Sequence, residues 1–515
     1  MGTKERVFSP LPHGVSLEDL VPQDNFYRRL EETLDLSFVR DLVRPLYAGG
    51  GRSSVDPVVF FRLQLVMFFE DIRSERELMR VAADRLSVRW FLGYDLHEPL
   101  PDHSSLTRIR ERYGLEVFRR FFERIVEECF EAGLVWGKEL FFDSTKVEAD
   151  AAMDSLVSRW AVEAHLGGLF EEAPAEDDRP ITQEIEALPS AGDDDLCERN
   201  TAKKDWISRD GAQDRSCRGS PRRERISDTR ASKTDPDATP MTWAGSGRKL
   251  GYQAHYVVDG GKARVILNAL VAPAEVTENR PMLDLLWRTC FRWRLRTHHV
   301  TADGKYGTLE NIAALEEAGV RAYVALHESG SKPGSFPKGD FRYDSERDVY
   351  ACPAGKLLRP LGKRSGADPD GKVTFYRAKA SECAVCQLRP RCTSNKIGRQ
   401  LRRDPKERYA ERVRTYRGTA PYEKALRKRR VWVEPLFAEA KDWHGMRRFR
   451  LRRLEKVNIE ALLIASGQNV KRLLDFGGRR PKKLAQAAAL LPPVPTGHKS
   501  SHESSRAREH RWSRS

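Results

Sequence analysis

The sequence predicts an α/β core preceded by an all-α segment, and three observations carry that prediction. Apolar residues recur at helical spacing, punctuated by cap signals, over residues 1–135. From Glu139 to about residue 326, short β-branched and aromatic runs alternate with helical stretches, implying a sheet whose first strands are antiparallel. From Pro421 to Phe476 the helical pattern returns. A chain of 515 residues suits about two to four domains. Its 40% hydrophobic content, with 10 Trp and 22 Phe, supports a sizeable core and excludes wholesale disorder. No apolar run approaches the roughly 20 residues of a membrane-spanning helix, and MGTKERVFSP lacks the apolar stretch of a signal peptide. Secretion and membrane insertion are therefore set aside.

In the N-terminal segment, Asp56-Pro57 ahead of VVFFRLQLVMFF reads as an N-cap followed by the first helical residue. Ser74 to Glu77 has capping-box spacing before LMRVAADRL. Asp102 to Ser105 precede LTRIRERYG, and LEVFRRFFERIVEECFEAGLV runs to Gly133, a C-cap neighbourhood. Short helices with Arg108, Arg110 and Arg112 grouped fit a helix-turn-helix DNA binder; a helical interaction bundle fits the same pattern.

The texture changes over residues 136–154, where ELFFDST reads as a buried strand ending in Asp143. Residues 155–245 form a polar insertion, expected to be partly disordered. Within 246–326, GYQAHYVVDGGKARVILNALVA reads as two strands split by Asp259-Gly260-Gly261, a hairpin signal. A helix (ENRPMLDLLWRTCFRW), a strand ending in Asp303 (HHVTAD), a helix (GTLENIAALEEAGV) and a strand (RAYVAL) follow. Residues 327–420 interrupt the core and hold a Cys cluster; 421–476 complete it with helices; 477–515 are a basic, low-complexity tail, expected to be disordered.

Asp143 and Asp303 each close an apolar strand, and in an open α/β sheet the carboxyl ends of strands face the ligand crevice. Two carboxylates there repel each other unless a cation lies between them, and Asp is a hard oxygen ligand of the kind Mg²⁺ takes. A turn or helix-cap role is the alternative for either alone. The segment RVWVEPLFAEAK then places Arg430, Glu434 and Lys441 at an R-x3-E-x6-K spacing, compatible with one helical face. Pro435 requires the helix either to kink or to begin at Glu434. A solvated i,i+4 ion pair is the bland reading, against which Trp432, Leu436 and Phe437 indicate a half-buried helix.

DST at 143–145, ADGKYG at 302–307, and R-x3-E-x6-K followed by HGMRRFRLRR resemble the DDE transposases of bacterial insertion sequences. PDHSSLTRIR at 101–110, TDPDA with GYQAHYVVD, and NIEALLIASGQNVKRLL share the resemblance, and the Cys-containing insertion is similar to that of insertion-sequence family 1182. The resemblance runs from about residue 15 to 476. It implies a discontinuous RNase H-like mixed-sheet core with Asp143, Asp303 and Glu434 as catalytic residues holding two Mg²⁺ (or Mn²⁺) ions. It implies that Arg430, Lys441, Arg447, Arg448, Arg108 and Arg110 contact DNA. Arg427 stands where related transposases often carry Tyr, so it takes over, or leaves open, that residue's phosphate contact. The implied activity is binding of terminal inverted repeats with metal-dependent strand cleavage and strand transfer, in a homodimer or higher assembly of a nucleoid-associated cytoplasmic protein. A nuclease with the same core but no strand transfer, and an inactive DNA-binding derivative, are the rival readings. Glu439 is a rival third carboxylate, but only Glu434 satisfies the Arg and Lys spacing.

Cys383 and Cys386 form a C-x2-C pair, with Cys392 behind and Cys352 ahead, which matches a small four-cysteine, zinc-ribbon-like insertion with structural Zn²⁺; reduced thiols without metal are the alternative. Cys129, Cys197, Cys217 and Cys290 are scattered and read as structural or incidental, as do His255 and His444. The formal charge of +15 points to nucleic acid. Its placement is uneven: residues 399–456 carry a balance of +12 and residues 477–515 add +7, so the chain before them is slightly acidic. The basic surplus surrounds and follows Glu434, where phosphates must be held beside carboxylates.

Overall fold

A computed structural model of the chain describes residues 14–47, 54–158, 230–243, 245, 247–326, 336–361 and 373–476. The N-terminal region is helical: α1 (Leu17–Leu20), α2 (Phe26–Thr33), α3 (Phe38–Val43), α4 (Pro57–Phe69), α5 (Glu75–Asp84), α6 (Leu86–Leu92) and α7 (His103–Glu131). Asp56 caps α4 by accepting from Val58 N at 2.8 Å, and Pro57 takes the first helical position, where its missing N–H costs nothing. Helix α4 is apolar over most of its surface because most of it is buried: Phe60, Phe61, Leu63 and Val66 are fully enclosed, while Arg62 reaches out to pair with Glu31. Ser74 does precede α5, but the expected capping box is not formed. Glu77 pairs with Arg80 instead of reaching back. The two helices expected on either side of Gly114 are both present within α7: Gly114 divides them with a non-helical φ of 61°, and Leu115 N there donates to Glu455 Oε1 at 3.2 Å.

Strand β1 (Glu139–Glu148) lies at the centre of a mixed sheet. The short β2 (Leu156–Ser158) and β3 (Arg230–Ser232) pair with each other, and β4 (Thr239–Trp243) pairs with the start of β5 (Gly247–Asp259). β5 runs antiparallel to β1, and β6 (Ile266–Pro273) is antiparallel to β5. After α8 (Met282–Arg292), β7 (His299–Thr301) joins β1 in parallel; after α9 (Leu309–Glu317), β8 (Arg321–Tyr323) joins β7 in parallel. The order across the sheet is β6-β5-β1-β7-β8. Asp259 ends β5 with a fully buried carboxylate that accepts from Gly137 N (2.7 Å), Gly261 N (2.7 Å) and Trp136 N (3.0 Å), tying the hairpin turn to the start of β1. Burial pushes this carboxyl up while the three N–H donors pull it down.

The described residues of 336–361 and 373–403 form a separate antiparallel meander that the sequence pattern did not announce: β9 (Arg342–Asp344), β10 (Val349–Ala351), β11 (Leu357–Leu361), β12 (Thr374–Ala378) and β13 (Gln400–Arg403), in that order. Its small core is Phe341, Tyr350, Leu358, Tyr376, Ala378 and Leu401. The short helices α10 (Ala380–Ala384) and α11 (Arg389–Cys392), with the turn between them, carry three of its cysteines, and Cys352 follows β10.

The chain returns through α12 (Glu407–Tyr416), α13 (Ala420–Trp432) and α14 (Glu434–Trp443) to α15 (Leu454–Phe476). Helix α15 seals the open edge of β6. Asn458 bonds both backbone groups of Val271 (2.8 and 3.0 Å), and Asn469 accepts from Ile266 N (2.9 Å) and donates to its carbonyl (2.8 Å). Eleven helical residues rise about 16 Å and five strand residues span about the same, so the two pairings fit without strain. On its other side Gly467 lets the ring of Phe68 from α4 lie against the helix backbone, joining the N-terminal helices to the sheet.

Candidate active site

Asp143 is not the last residue of its strand, as the sequence suggested; β1 continues to Glu148 because its ladder with β5 does. The parallel ladder with β7, however, ends at Phe141 opposite Thr301. Asp143 and Asp303 each lie two residues beyond that last pair, so they occupy equivalent positions at the carboxyl edge of adjacent parallel strands. Asp303 accepts from Lys305 N at 2.9 Å and caps a short 3-10 turn at 304–306.

Glu434 arrives from a helix start. Helices α13 and α14 are separate, with Val433 as the junction at φ −104°, ψ −45°, and Pro435 in the first turn of α14. The single helical face expected for Arg430, Glu434 and Lys441 is therefore not continuous, because Pro435 cannot donate into α13. Glu434 and Lys441, two turns apart, do share α14. A carboxylate in the first turn is favoured by the helix dipole.

Arg430, the motif arginine, is exposed; its neighbour Arg429 enters the crevice instead. Arg429 Nη1 donates to Asp143 Oδ2 at 2.8 Å, and Nη2 lies 3.9 Å from Glu434 Oε1. The Arg429 and Asp143 side chains are only 14% and 13% exposed. Helix α13 is pinned for this. Lys428 pairs with Glu139 and donates to Gly260 O at 2.7 Å, while Trp432 Nε1 donates to Gly261 O at 2.9 Å. Glu139 and Asp143 lie on one face of β1, so consecutive cations of α13 meet the two acidic residues of that face.

Burial pushes the Asp143 carboxyl up to about 6. Arg429 and the Ser144 N–H oppose the shift, and the negative charges of Asp303 and Glu434 add to it. Asp143 thus feels the charges of Asp303 and Glu434. Among the described residues, no group of three or more His, Cys, Asp or Glu side chains is arranged to hold a metal ion.

Lys305, which donates to Glu278 Oε1 at 2.6 Å, also senses the site: the hydrogen bond to Glu278 raises its pKa most, and the charges of Asp303 and Asp143 add to the rise. On the other face of the sheet Gln253 donates to Ser144 Oγ at 2.9 Å. Lys305 lay within the ADGKYG motif, whereas nothing in the sequence marked Glu278 or distinguished Arg429 from Arg430. Glu439 points elsewhere: it pairs with Lys471 and Arg472 (3.1 Å) against α15, and His444 and those cations hold its carboxyl well below the usual range. His444 stacks on Phe68 and bonds its carbonyl, a packing role. His255 is buried, as is Cys129; Cys197 and Cys217 lie outside the described residues.

Of the residues expected to meet DNA, Arg427, Arg430, Arg447 and Arg448 surround α13 and the segment after α14. Arg447 pairs with Asp442, and Arg448 with Asp150 at 2.6 Å. Lys441 is half-buried, and burial together with Arg447 lowers its pKa. Arg108 is exposed, its guanidinium 3.0 Å from Ser104 Oγ. Arg110 departs from the expectation: its side chain is 4% exposed and its guanidinium pairs with Glu75, which also faces Arg450 at 3.4 Å, so it braces the helical region from inside. Cys352, Cys383, Cys386 and Cys392 line one small cleft of the meander, all as free thiols, with Lys356 N donating to Cys352 Sγ at 3.2 Å. Burial and the other three sulfurs raise the Cys392 thiol while Arg399 lowers it.

The crevice thus sets Asp143 on a mixed sheet beside the Arg429 guanidinium, which also faces Glu434. Comparison with known families bears on the class of protein. The family model described as "Transposase domain (DUF772)" matches residues 15–112, and that described as "Transposase DDE domain" matches residues 351–474. Both matched segments are transposase segments, and together they support a DDE transposase. No curated protein matches it. A solved structure, the piggyBac transposase synaptic complex with hairpin DNA, aligns over 92% of this chain and 84% of its own at 10% identity and a TM-score of 0.31, too loose a likeness to carry an argument. Among the described residues no helix is long and apolar enough to cross a membrane.

Proposed function

We propose that the chain is an insertion-sequence transposase that binds terminal inverted repeats and carries out metal-dependent strand cleavage and strand transfer, with Asp143, Asp303 and Glu434 as its catalytic carboxylates. The observation that carries the reading is the equivalent placement of Asp143 and Asp303 beyond the last parallel pair of β1 and β7, with Glu434 near enough to raise the Asp143 pKa. The order β6-β5-β1-β7-β8, antiparallel on one side of β1 and parallel on the other, supports the RNase H-like assignment.

The donor chemistry suits a hard divalent cation: Asp143 and Glu434 face the same guanidinium, and the negative charges of Asp303 and Glu434 add to the upward shift of the buried Asp143 carboxyl. Asp143, Asp303 and Glu434 would hold Mg²⁺ or Mn²⁺, two per site. When bound, such ions supply Lewis-acid activation of water or a DNA 3′-OH and stabilise the leaving oxygen of an in-line displacement. The chain's own work is to orient and to grip. The Ser144 N–H fixes one Asp143 oxygen at 2.9 Å, and the Lys305 N–H fixes Asp303. Arg430, Arg427, Lys441, Arg447 and Arg448 would hold backbone phosphates, arginine doing so in bidentate fashion. In this reading the helices over residues 1–135 bind the transposon ends through surfaces that include Arg108, and the chain works as a dimer or larger assembly. The four thiols of the meander would hold a structural zinc, since tetrahedral sites of this kind take four sulfurs.

The test is a strand-transfer assay with Mg²⁺, pre-cut transposon ends and a supercoiled target. A joined product supports the transposase reading. Nicking without joining favours the nuclease alternative, and end binding without cleavage favours an inactive DNA-binding derivative.

A further inference from the structure

We infer that Arg429 is a positioning residue that competes with divalent cations for Asp143 and Glu434 and must release Asp143 before these carboxylates can load them. The inference rests on the proposed metal-binding role of Asp143 and Glu434. Three observations carry it beyond that reading. First, the guanidinium spans the two carboxylates, 2.8 Å from Asp143 and 3.9 Å from Glu434, where a cation shared by them has to compete with it. Second, the ion pair is largely shielded from water, at 14% and 13% exposure, so it is not a loose surface contact. Third, its placement is built into the fold. The Lys428 pair with Glu139, the Lys428 bond to Gly260 O and the Trp432 bond to Gly261 O hold α13 in the register that directs Arg429 toward Asp143.

The chemistry of the competition is direct. A hydrogen-bonded guanidinium and a divalent cation both draw on the Asp143 Oδ2 lone pairs, and one oxygen cannot serve both fully. The pair therefore lowers the affinity of the DNA-free enzyme for metal. A guanidinium released from Asp143 remains tethered beside the crevice on a pinned helix, and it is a bidentate ligand for a phosphate by nature. DNA and metal would then bind cooperatively, because the phosphate gives Arg429 a second partner as the carboxylates take up cations.

The experiment measures Mn²⁺ binding to the full-length, DNA-free chain by electron paramagnetic resonance of free Mn²⁺. The proteins are wild type, Arg429→Gln, Arg429→Lys and Arg430→Gln, with Asp143→Asn made in the wild-type and Arg429→Gln backgrounds. Arg429→Gln is expected to bind Mn²⁺ roughly tenfold or more tightly than wild type, the scale of one charged hydrogen bond. Arg429→Lys, which keeps the charge and the fold but not the fork, should fall between them. Arg430→Gln removes the same charge one residue away at an exposed, screened position and should shift affinity by less than about twofold. If neither Arg429 variant binds more tightly while Asp143→Asn weakens binding, the inference is overturned and the carboxylate assignment stands. If Asp143→Asn leaves Mn²⁺ affinity unchanged in both backgrounds, the carboxylate assignment itself fails and the inference falls with it.

Discussion

Replacing Asp259 by Asn tests how the start of the catalytic strand is fixed. The fully buried carboxylate accepts three backbone N–H groups: Oδ1 takes Gly137, and Oδ2 takes Trp136 and Gly261, at 2.7 to 3.0 Å. Asn keeps one acceptor oxygen, which in the favoured amide orientation serves Trp136 and Gly261. It then turns an amide N–H toward Gly137 N and leaves that donor without a partner. At about 1–3 kcal/mol for a stranded buried group, the expected loss is about 1–3 kcal/mol. Loss of the negative charge offsets part of this, since burial disfavours the ionised carboxyl. Urea unfolding of the full chain, followed by tryptophan fluorescence, should show a midpoint shifted clearly downward with no change in slope. A stability within about 0.5 kcal/mol of wild type would refute the reasoning, because it would mean the Gly137 N–H finds an equivalent partner elsewhere.

Other consequences follow from the same physical arguments. Gly467→Ala puts a Cβ into the ring of Phe68, which is itself stacked on His444; the expected cost is about 1–3 kcal/mol, read as a lowered thermal midpoint, and an unchanged midpoint would show that α4 and α15 can separate freely. His255 is fully buried, and burial pushes its pKa down to about 3, below the 6.5 of the free side chain. The folded protein thus binds fewer protons than the unfolded chain, so the His255 contribution is complete above about pH 6.5 and is lost as pH falls from there toward 3. His255→Leu should flatten that limb of the stability profile; an identical slope in the variant would count against it. For the meander, metal analysis of the purified chain should return about one equivalent of zinc, and Cys383→Ser should lose it; less than roughly half an equivalent in the wild type would contradict the site.

What the sequence disclosed depended on whether the signal was local. Asp56-Pro57, Asp102 and the Asp259-Gly260-Gly261 turn each act through neighbours within a few residues, and each appears where the pattern put it. The two aspartates were legible because apolar strands end or pair out beside them. Arg429 was not. Choosing it over Arg430 requires knowing that α13 ends at Trp432 and how Lys428 rotates the helix against Glu139, both tertiary facts. Arg110 failed for the complementary reason: a grouped arginine looks solvent-facing until Glu75, from another helix, encloses it. Ser74 had the right spacing, but Arg80 competed for Glu77. The five strands of the meander are three to five residues long, too short for a period-2 pattern to stand out.

The central claim is that Glu434 belongs to a metal-holding carboxylate set and not to the DNA grip. It is tested most directly by comparing Glu434→Gln with wild type for transposon-end binding and for Mg²⁺-dependent strand cleavage on the same DNA. Gln keeps the shape and the helix position but not the charge that holds a cation. End binding should be retained and cleavage should fall by roughly a thousandfold or more. Mg²⁺-dependent nicking that persists in Glu434→Gln would contradict the account.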